Sequence, residues 1–334
     1  MPGAVMLPCH YDNGGGIGMN WVRGEVWAAL AALMFVGLEL SIRAAAPGTP
    51  ALADTFVRLA PLIVLSWTVT LSRRLNRVNL IRWLRPGTVG DGKVLLALLV
   101  DGVLNMFLGN ALKLDALQHG DIVMTLTTVE VGNLFGAAFL VRWIVGQAVP
   151  RRAFGGLALS AVGTGLAAWT GHLGSGAALP LMLALGAGLS FGLAVTAMGY
   201  ALKQGAGLWP ALAVSSTFGA LVTFLAAGTA GPAEVTRIAP AAGGELLLSG
   251  VFYAAALVCL TIALTRLPVV STDAITATNS PVAGLVGSLV FGGTIGAAVV
   301  GGLALVAAGA IVVRTAELAL ASPRARPLLP FRGV

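Results

Sequence analysis

Residues 178–202 read ALPLMLALGAGLSFGLAVTAMGYAL, an apolar stretch with no formal charge from end to end. As a helix rising 1.5 Å per residue it is long enough to cross a hydrocarbon core of about 30 Å. Comparable stretches precede it at 25–45, 51–71, 94–113, 120–141 and 153–170, and follow it at 208–229, 245–265, 269–290 and 295–313. The pattern predicts ten membrane spans. Composition agrees: of 334 residues, 57% are hydrophobic and 10% charged, against roughly 25% charged in an ordinary soluble domain. The predicted class is an all-α polytopic membrane protein. That excludes a soluble enzyme, whose outside needs more polar surface than this chain has, and an outer-membrane barrel, whose strands alternate over ~10 residues. With only Cys9 and Cys259, a disulfide scaffold is excluded too.

The net charge of +7 takes its meaning from position. With ten spans and both termini inside, the cytoplasmic segments hold 16 of the 20 basic residues; the exceptions are Arg43, Arg58, Lys113 and Arg237. Such a bias orients a chain N-in and C-in, which places it in the cell (inner) membrane with cytoplasmic termini. No basic stripe interleaved with aromatics occurs, so no nucleic-acid partner is expected. The stretch 73–86, RRLNRVNLIRWLRP, reads as a polybasic loop lying on anionic lipid. Trp21, Trp27, Trp67, Trp143, Trp169 and Trp209 fall near span ends, as interfacial aromatics do. Residues 1–24 form a polar tail, in which Gly14–Gly18 resembles a translated ribosome-binding sequence; synthesis is then expected to begin at Met19.

The chain also compares with itself. Ala111-Leu112, Asp121 and Gly132 recur as Ala263-Leu264, Asp273 and Gly284 at a constant offset of 152. Gly155-Gly156-Leu157-Ala158-Leu159 recurs as Gly301-Gly302-Leu303-Ala304-Leu305, and Gly37-Leu38-Glu39-Leu40-Ser41 resembles Gly192-Leu193-Ala194-Val195-Thr196. Three matches in one order imply a duplication of a five-span unit. Five is odd, so the second unit enters the membrane upside down. Inverted repeats place a site at the midplane between halves that rock to give alternating access.

In this order the chain resembles the EamA-type members of the drug/metabolite transporter superfamily, over about residues 25–315. The likeness rests on Phe35 to Arg43 with Pro50, on FVRLAPLIVL around Arg58, and on the paired AL…G…GG-L-A-L…G patterns that end each half. It implies ten helices in two repeats, 25–170 and 178–313, followed by a cytoplasmic tail at 314–334. It also implies movement of small metabolites or drugs, often outward. One departure stands out: the Gly-Glu pair usual after the fourth span is Gly146-Gln147 here, and the matching place in the second half is Gly292-Gly293.

An ionisable group within hydrocarbon costs at least about 2.5–3.5 kcal/mol by insertion scales, so each one calls for a reason. Glu130 is near the middle of the fourth span and has no basic residue three or four positions away; it is a candidate for substrate binding or proton coupling. Glu39, in the outer half of the first span, is a second candidate, or else pairs with Arg43 or Arg58. Asp54 and Arg58 are one helical turn apart and are expected to neutralise each other. Asp101 is either a gate residue or a snorkelling group. Asp121 and Asp273 lie near span starts, where a helix N-terminal capping role is expected. Asn105 and Asn133 sit at mid-span, and Thr276, Thr278, Asn279 and Ser280 precede Pro281, which frees the carbonyl of Ala277. These polar groups suit a substrate site or helix-to-helix hydrogen bonding. Tyr253 is a candidate for stacking on a substrate. Gly155, Gly163, Gly301 and Gly309 read as close-packing positions.

His10, His119 and His172 are scattered, no metal-ligand spacing occurs, and no Walker-type loop is present, so neither a metal, a cofactor nor ATP hydrolysis is expected. The expected activity is secondary transport, not enzymatic. The solute is a small cationic or zwitterionic metabolite, amino acid or drug, because acidic groups outnumber basic ones at mid-depth. The alternatives are a lipid or lipid-linked sugar flippase of the same superfamily and, below it, a membrane-embedded enzyme. The expected partners are that small molecule and the lipid bilayer; oligomeric state is left open.

Overall fold

The computed structural model describes residues 17–45, 51–74, 91–120, 122–144, 149–168, 178–228, 240–290 and 296–321. Among these there is no strand. In chain order the helices are α1 (Ile17–Ala45), α2 (Ala51–Arg74), α3 (Gly92–His119), α4 (Ile122–Ile144), α5 (Arg151–Ala168), α6 (Ala178–Lys203), α7 (Leu208–Ala227), α8 (Pro240–Arg266), α9 (Val269–Thr276), α10 (Asn279–Val290) and α11 (Ala297–Ala321). Eight of them, α1–α4, α6–α8 and α11, are long and apolar enough to cross a membrane. The architecture is that of an all-α polytopic membrane protein.

Large apolar side chains lie on the outside as well as in the core. Leu33, Val64, Phe139, Met182, Leu225, Leu289 and Ile311 are exposed, as a lipid-facing surface requires. Thr125, Ser215, Ser216, Thr223, Ser249 and Thr272 are buried. Many of these hydroxyls donate back along their own helix, as from Thr196 to Gly192 O and from Thr223 to Gly219 O, both 2.8 Å. A polar group can thus be kept away from water without an unmet hydrogen bond.

Lipid offers apolar groups as good a home as another helix does, so helices associate through close backbone approach at small residues. Gly156 and Gly163 of α5 face Gly309 and Gly302 of α11, and a Cβ added at Gly156, Gly163 or Gly309 would strike a backbone carbonyl across the contact. On α4 and α6, Gly132 and Gly136 face Gly188 and Gly192, whose added Cβ atoms would strike the carbonyls of Val129 and Asn133. That contact presses onto α6 the turn of α4 that carries Glu130 and Asn133. The expected roles of Gly163 and Gly309 thus hold. Gly155 and Gly301 differ: Gly155 has open space around it, and Gly301 only ordinary contact with Leu166. Their sequence neighbours Gly156 and Gly302 face the crossing instead.

Several boundaries differ from the sequence expectation. Helix α1 is already formed at Ile17, so the tail assigned to 1–24 is partly helical. Helix α11 runs on to Ala321 rather than stopping at 313, and Arg314 is buried against Glu25 and Ser271 instead of opening a tail. The apolar run 269–290 is two helices: α9 ends at Thr276, Ala277 and Thr278 turn, and Asn279 begins α10. Pro281 therefore occupies the first turn of a new helix, where a missing amide is tolerated, rather than kinking a continuous one. Helix α3 is π-helical from Gly102 to Gly109. The polybasic loop beyond Arg74, Asp121, Gly146-Gln147 and Gly292-Gly293 lie outside the described residues.

Candidate functional site

A cavity of about 60 Å3 opens among α1, α3, α4, α6, α8, α9 and α10. It is lined by Glu39, Asn105, Glu130, Asn133, Tyr253, Asn279 and Ser280, every site residue expected from the sequence. Four further polar residues share it: Asn110, Lys113, Asp273 and Thr276. Asp273 and Thr276 of α9, before the break, and Asn279 and Ser280 of α10, after it, stand on the same wall. Irregular backbone at membrane depth is tolerated where it lines a cavity.

Two carboxylates from distant parts of the chain converge here. Asn133 Nδ2 donates to Glu130 Oε2 at 3.4 Å and to Asp273 Oδ1 at 3.1 Å, so both amide hydrogens are used. Ser280 Oγ lies 3.1 Å from Glu130 Oε1 and 2.8 Å from Asn279 Oδ1, and its single hydrogen serves one of them at a time. Asp273 Oδ2 and Asn133 Oδ1 are buried and accept from no group. No basic side chain pairs with either carboxylate among the described residues. Asp273 does not cap α9: the cap position is Pro268, which makes no side-chain hydrogen bond, and Asp273 lies beyond the first turn of the helix. One turn of progress carries it from the helix end to the cavity wall.

The one basic residue that lines the cavity among the described residues is already engaged. Lys113 Nζ donates to Glu39 Oε1 at 2.7 Å, and the ammonium lies 5.7 Å from the centre of the Phe191 ring, within cation–π range. The partner of Glu39 is therefore Lys113 of α3 rather than Arg58. Arg58 instead binds Asp54 at 2.8 Å, as its spacing predicts, with both side chains buried. Sequence position puts Lys113 at a span end, but α3 continues beyond it to His119 and carries Lys113 into the bundle.

The third group ties α3 to α8. Asn110 Nδ2 donates to Asn105 O at 2.7 Å and to Tyr253 OH at 3.0 Å, while Tyr253 OH is 3.2 Å from Asn105 Oδ1 and 3.4 Å from Met106 Sδ. The first of these bonds joins a side chain to a carbonyl of the π-helical segment. The Tyr253 hydroxyl is thus engaged with α3, while the residue still lines the cavity. Asp101, one residue ahead of the π segment, is buried and accepts from Ser215 Oγ of α7; it does not snorkel. Sequence reasoning misses Asp273, Lys113 and Asn110 as site residues. Recurrence of Asp121 as Asp273 within the repeat is the one sequence signal that marks Asp273 out.

No protein-family model matches the chain, and no curated protein matches it. Among solved structures 28 chains match. One, described as "Crystal structure of protein", superimposes with a TM-score of 0.66 at 13% identity, covering 90% of this chain and 99% of its own. At that identity the likeness is one of fold.

Proposed function

We propose that this chain is a secondary transporter of the EamA type, moving a small cationic or zwitterionic solute by alternating access between two inverted five-span repeats. The observation that carries the proposal is the Glu130–Asn133–Asp273 cluster. Two acidic side chains, one from each half, face a cavity inside the bundle, and the lysine that lines it is bound to Glu39. A buried charge that lacks a partner in the protein finds one in a ligand. An ammonium donor placed between Glu130 and Asp273 supplies both carboxylates, and the carboxylate of a zwitterion is within the field of Lys113. Because the acidic pair joins the two halves, binding there is sensitive to their relative position.

Packing supports the duplication. If α9 and α10 together count as the ninth span, the main contacts between helices have counterparts five spans on. Helix α1 packs on α8 and α6 on α3; α2 packs on α8 and α7 on α3; α4 packs on α5 and α9 on α11. Helices α2 and α7, and α5 and α11, pair with their own counterparts. In the last pair the glycines cross in the order such an axis demands, Gly156 on Gly309 and Gly163 on Gly302. The basic-residue bias favours cytoplasmic termini in the inner membrane.

The test is solute uptake into proteoliposomes containing the purified protein, across a panel of amino acids and organic cations. Flux that falls at least ~10-fold in a well-expressed Glu130→Gln variant supports the assignment. Normal flux in that variant refutes the role of Glu130. Absence of flux for every solute, with lipid scrambling observed instead, replaces solute transport with lipid flipping.

A further inference from the structure

Beside the central cavity lies a smaller void of about 10 Å3, and the two share Asn105, Val195, Leu257 and Leu260 as walls. Among the described residues its one ionisable lining residue is Asp101, 1% exposed. One carboxylate oxygen accepts from Ser215 Oγ, while the other, Oδ1, is buried and accepts from nothing. Ser215 and, one turn on, the Asn105 side chain offer it hydrogen bonds, but among the described residues no neighbour offers a compensating charge. Helix α7 presents Ser215; α8 presents Tyr253, turned to Asn105 and Met106, and Thr261, which donates to Leu257 O at 2.6 Å; α6 presents Val195 and Met198. The Arg58 guanidinium of α2 is held by Asp54, and Lys113, further along α3, by Glu39. A buried carboxylate that lacks a paired charge is stabilised by taking up a cation. A void of this size admits one water-sized body, and a metal ion needs about six oxygen ligands, which the apolar walls do not supply. The cation that fits is a proton.

We propose that Asp101 is a proton-binding site for coupling, standing outside the solute cavity: the solute meets Glu130 and Asp273, and the proton is carried by Asp101. This rests on the transporter function proposed above. Asp101 immediately precedes the π-helical segment, and π segments concentrate at functional positions in helices. At the next residue, Gly102, α3 touches α7 so closely that an added Cβ would meet Ser215 O and Gly219 N. Ionised Asp101 accepts the Ser215 hydroxyl across this contact. Protonation removes the charge that holds the Ser215 hydroxyl and turns the carboxyl into a donor, which favours repacking of this contact. Asn105, one turn on, passes that change to Tyr253 and Asn110 at the solute cavity. The proton comes from water on one side of the membrane and returns to water on the other, with no other bond made or broken.

The experiment has two arms. In the first, pH-difference infrared spectra of the purified protein in lipid are compared for wild type, Asp101→Asn and Glu130→Gln. The expected result is a titrating carboxylic-acid band that Asp101→Asn removes and Glu130→Gln retains; an unchanged set of bands in Asp101→Asn overturns the proposal. Should Asp101→Asn not fold, Ser215→Ala takes its place. It removes the hydroxyl held by the carboxylate and is expected to move the band's frequency, and an unmoved band is again decisive against. In the second arm, proteoliposomes are given a pH gradient and the same solute panel. Asp101→Asn is expected to equilibrate solute while losing at least ~10-fold in gradient-driven accumulation. Accumulation driven by a sodium gradient instead overturns the proton assignment. A wild type that moves no solute counts against the transporter function, whereas the infrared arm still decides whether Asp101 binds a proton.

Discussion

Asn133 of α4 donates to Asp273 of α9 across 3.1 Å, and its second amide hydrogen goes to Glu130. One side chain thereby holds two acidic groups, from opposite halves of the sequence, at one wall of a cavity. The pairing depends on the glycine contact of α4 with α6, which sets the depth and rotation of α4, and on the face that the ninth span presents. Asp273, Thr276 and Ser280 stand three and four residues apart, the spacing of one helical face. The turn at Ala277 and Thr278 interrupts the helix between them and leaves all three on the cavity wall.

Asn133→Leu is expected to remove the bridge while keeping an apolar volume of similar size. Leaving buried acceptors unmet costs about 1–3 kcal/mol each, and solute transport falls at least ~10-fold. Adding Asp273→Asn supplies a new amide donor toward Glu130, so the double variant regains thermal stability without regaining transport. Melting temperature in detergent together with liposome flux separates the two effects. A double variant that transports normally removes the acidic pair from the mechanism.

Much of this site is legible in the sequence. Glu130 and Asn133 stand out because a charged or amide group deep in an apolar run must have a function or a partner. Asn279, Ser280 and Tyr253 stand out for the same reason. Asp273 is legible only as a helix-end residue, since it lies about one turn from the start of its span and helix starts welcome acidic groups. Whether such a residue caps or turns inward is decided by the rotation of the helix, which neighbouring helices set. Lys113 is hidden by the length of α3, whose apolar pattern fades before the helix ends. The break at Ala277 and Thr278 leaves only Pro281 as a trace, and proline alone does not distinguish a kink from a new start. Arg314 reads as the first residue of a tail because arginine usually ends a span; here Glu25 and Ser271 give it a buried place.

Glu39 and Lys113 form a buried pair, and the pair is worth less to stability than either partner is costly to remove. Lys113→Ala strands Glu39, for which the usual cost is about 3–5 kcal/mol. Glu39→Leu with Lys113→Leu removes both charges, and stability is expected to return to within about 1 kcal/mol of wild type or to exceed it. A double-mutant cycle of unfolding free energies gives the coupling directly. Additive losses from the two single variants would show that the pair is not closed in the membrane.

Arg314 of α11 reaches Glu25 of α1 and Ser271 of α9, which ties the first helix to two elements of the second half at one end of the bundle. Glu25→Gln weakens that tie while leaving the arginine its serine. If alternating access parts the halves at this end, Glu25→Gln is expected to raise the modification rate of a cysteine placed at Thr276, which lines the central cavity, by ~3-fold or more. The control is a background with Cys9→Ser and Cys259→Ser, since the chain has these two cysteines and Cys259 is a free and half-buried thiol. An unchanged rate would mean that the tie does not restrain opening.

The glycine crossings make the sharpest structural prediction, because neighbouring glycines differ in their surroundings. Gly163 faces the backbone of Gly302, whereas Gly155, two turns earlier on α5, faces open space. Gly163→Leu must push α5 from α11 along their whole contact, since rigid backbone cannot give way locally as a side chain can. Overpacking of this kind costs about 1–3 kcal/mol where relaxation is possible and more where it is not. Gly155→Leu places its side chain toward lipid and gains helix propensity of about 0.8–1 kcal/mol over glycine, so its stability should equal or exceed that of wild type. Thermal unfolding of the two variants in the same lipid reads the difference. Equal destabilisation would mean that α5 needs glycine for flexibility, and that close approach to α11 is not the reason these residues are glycine.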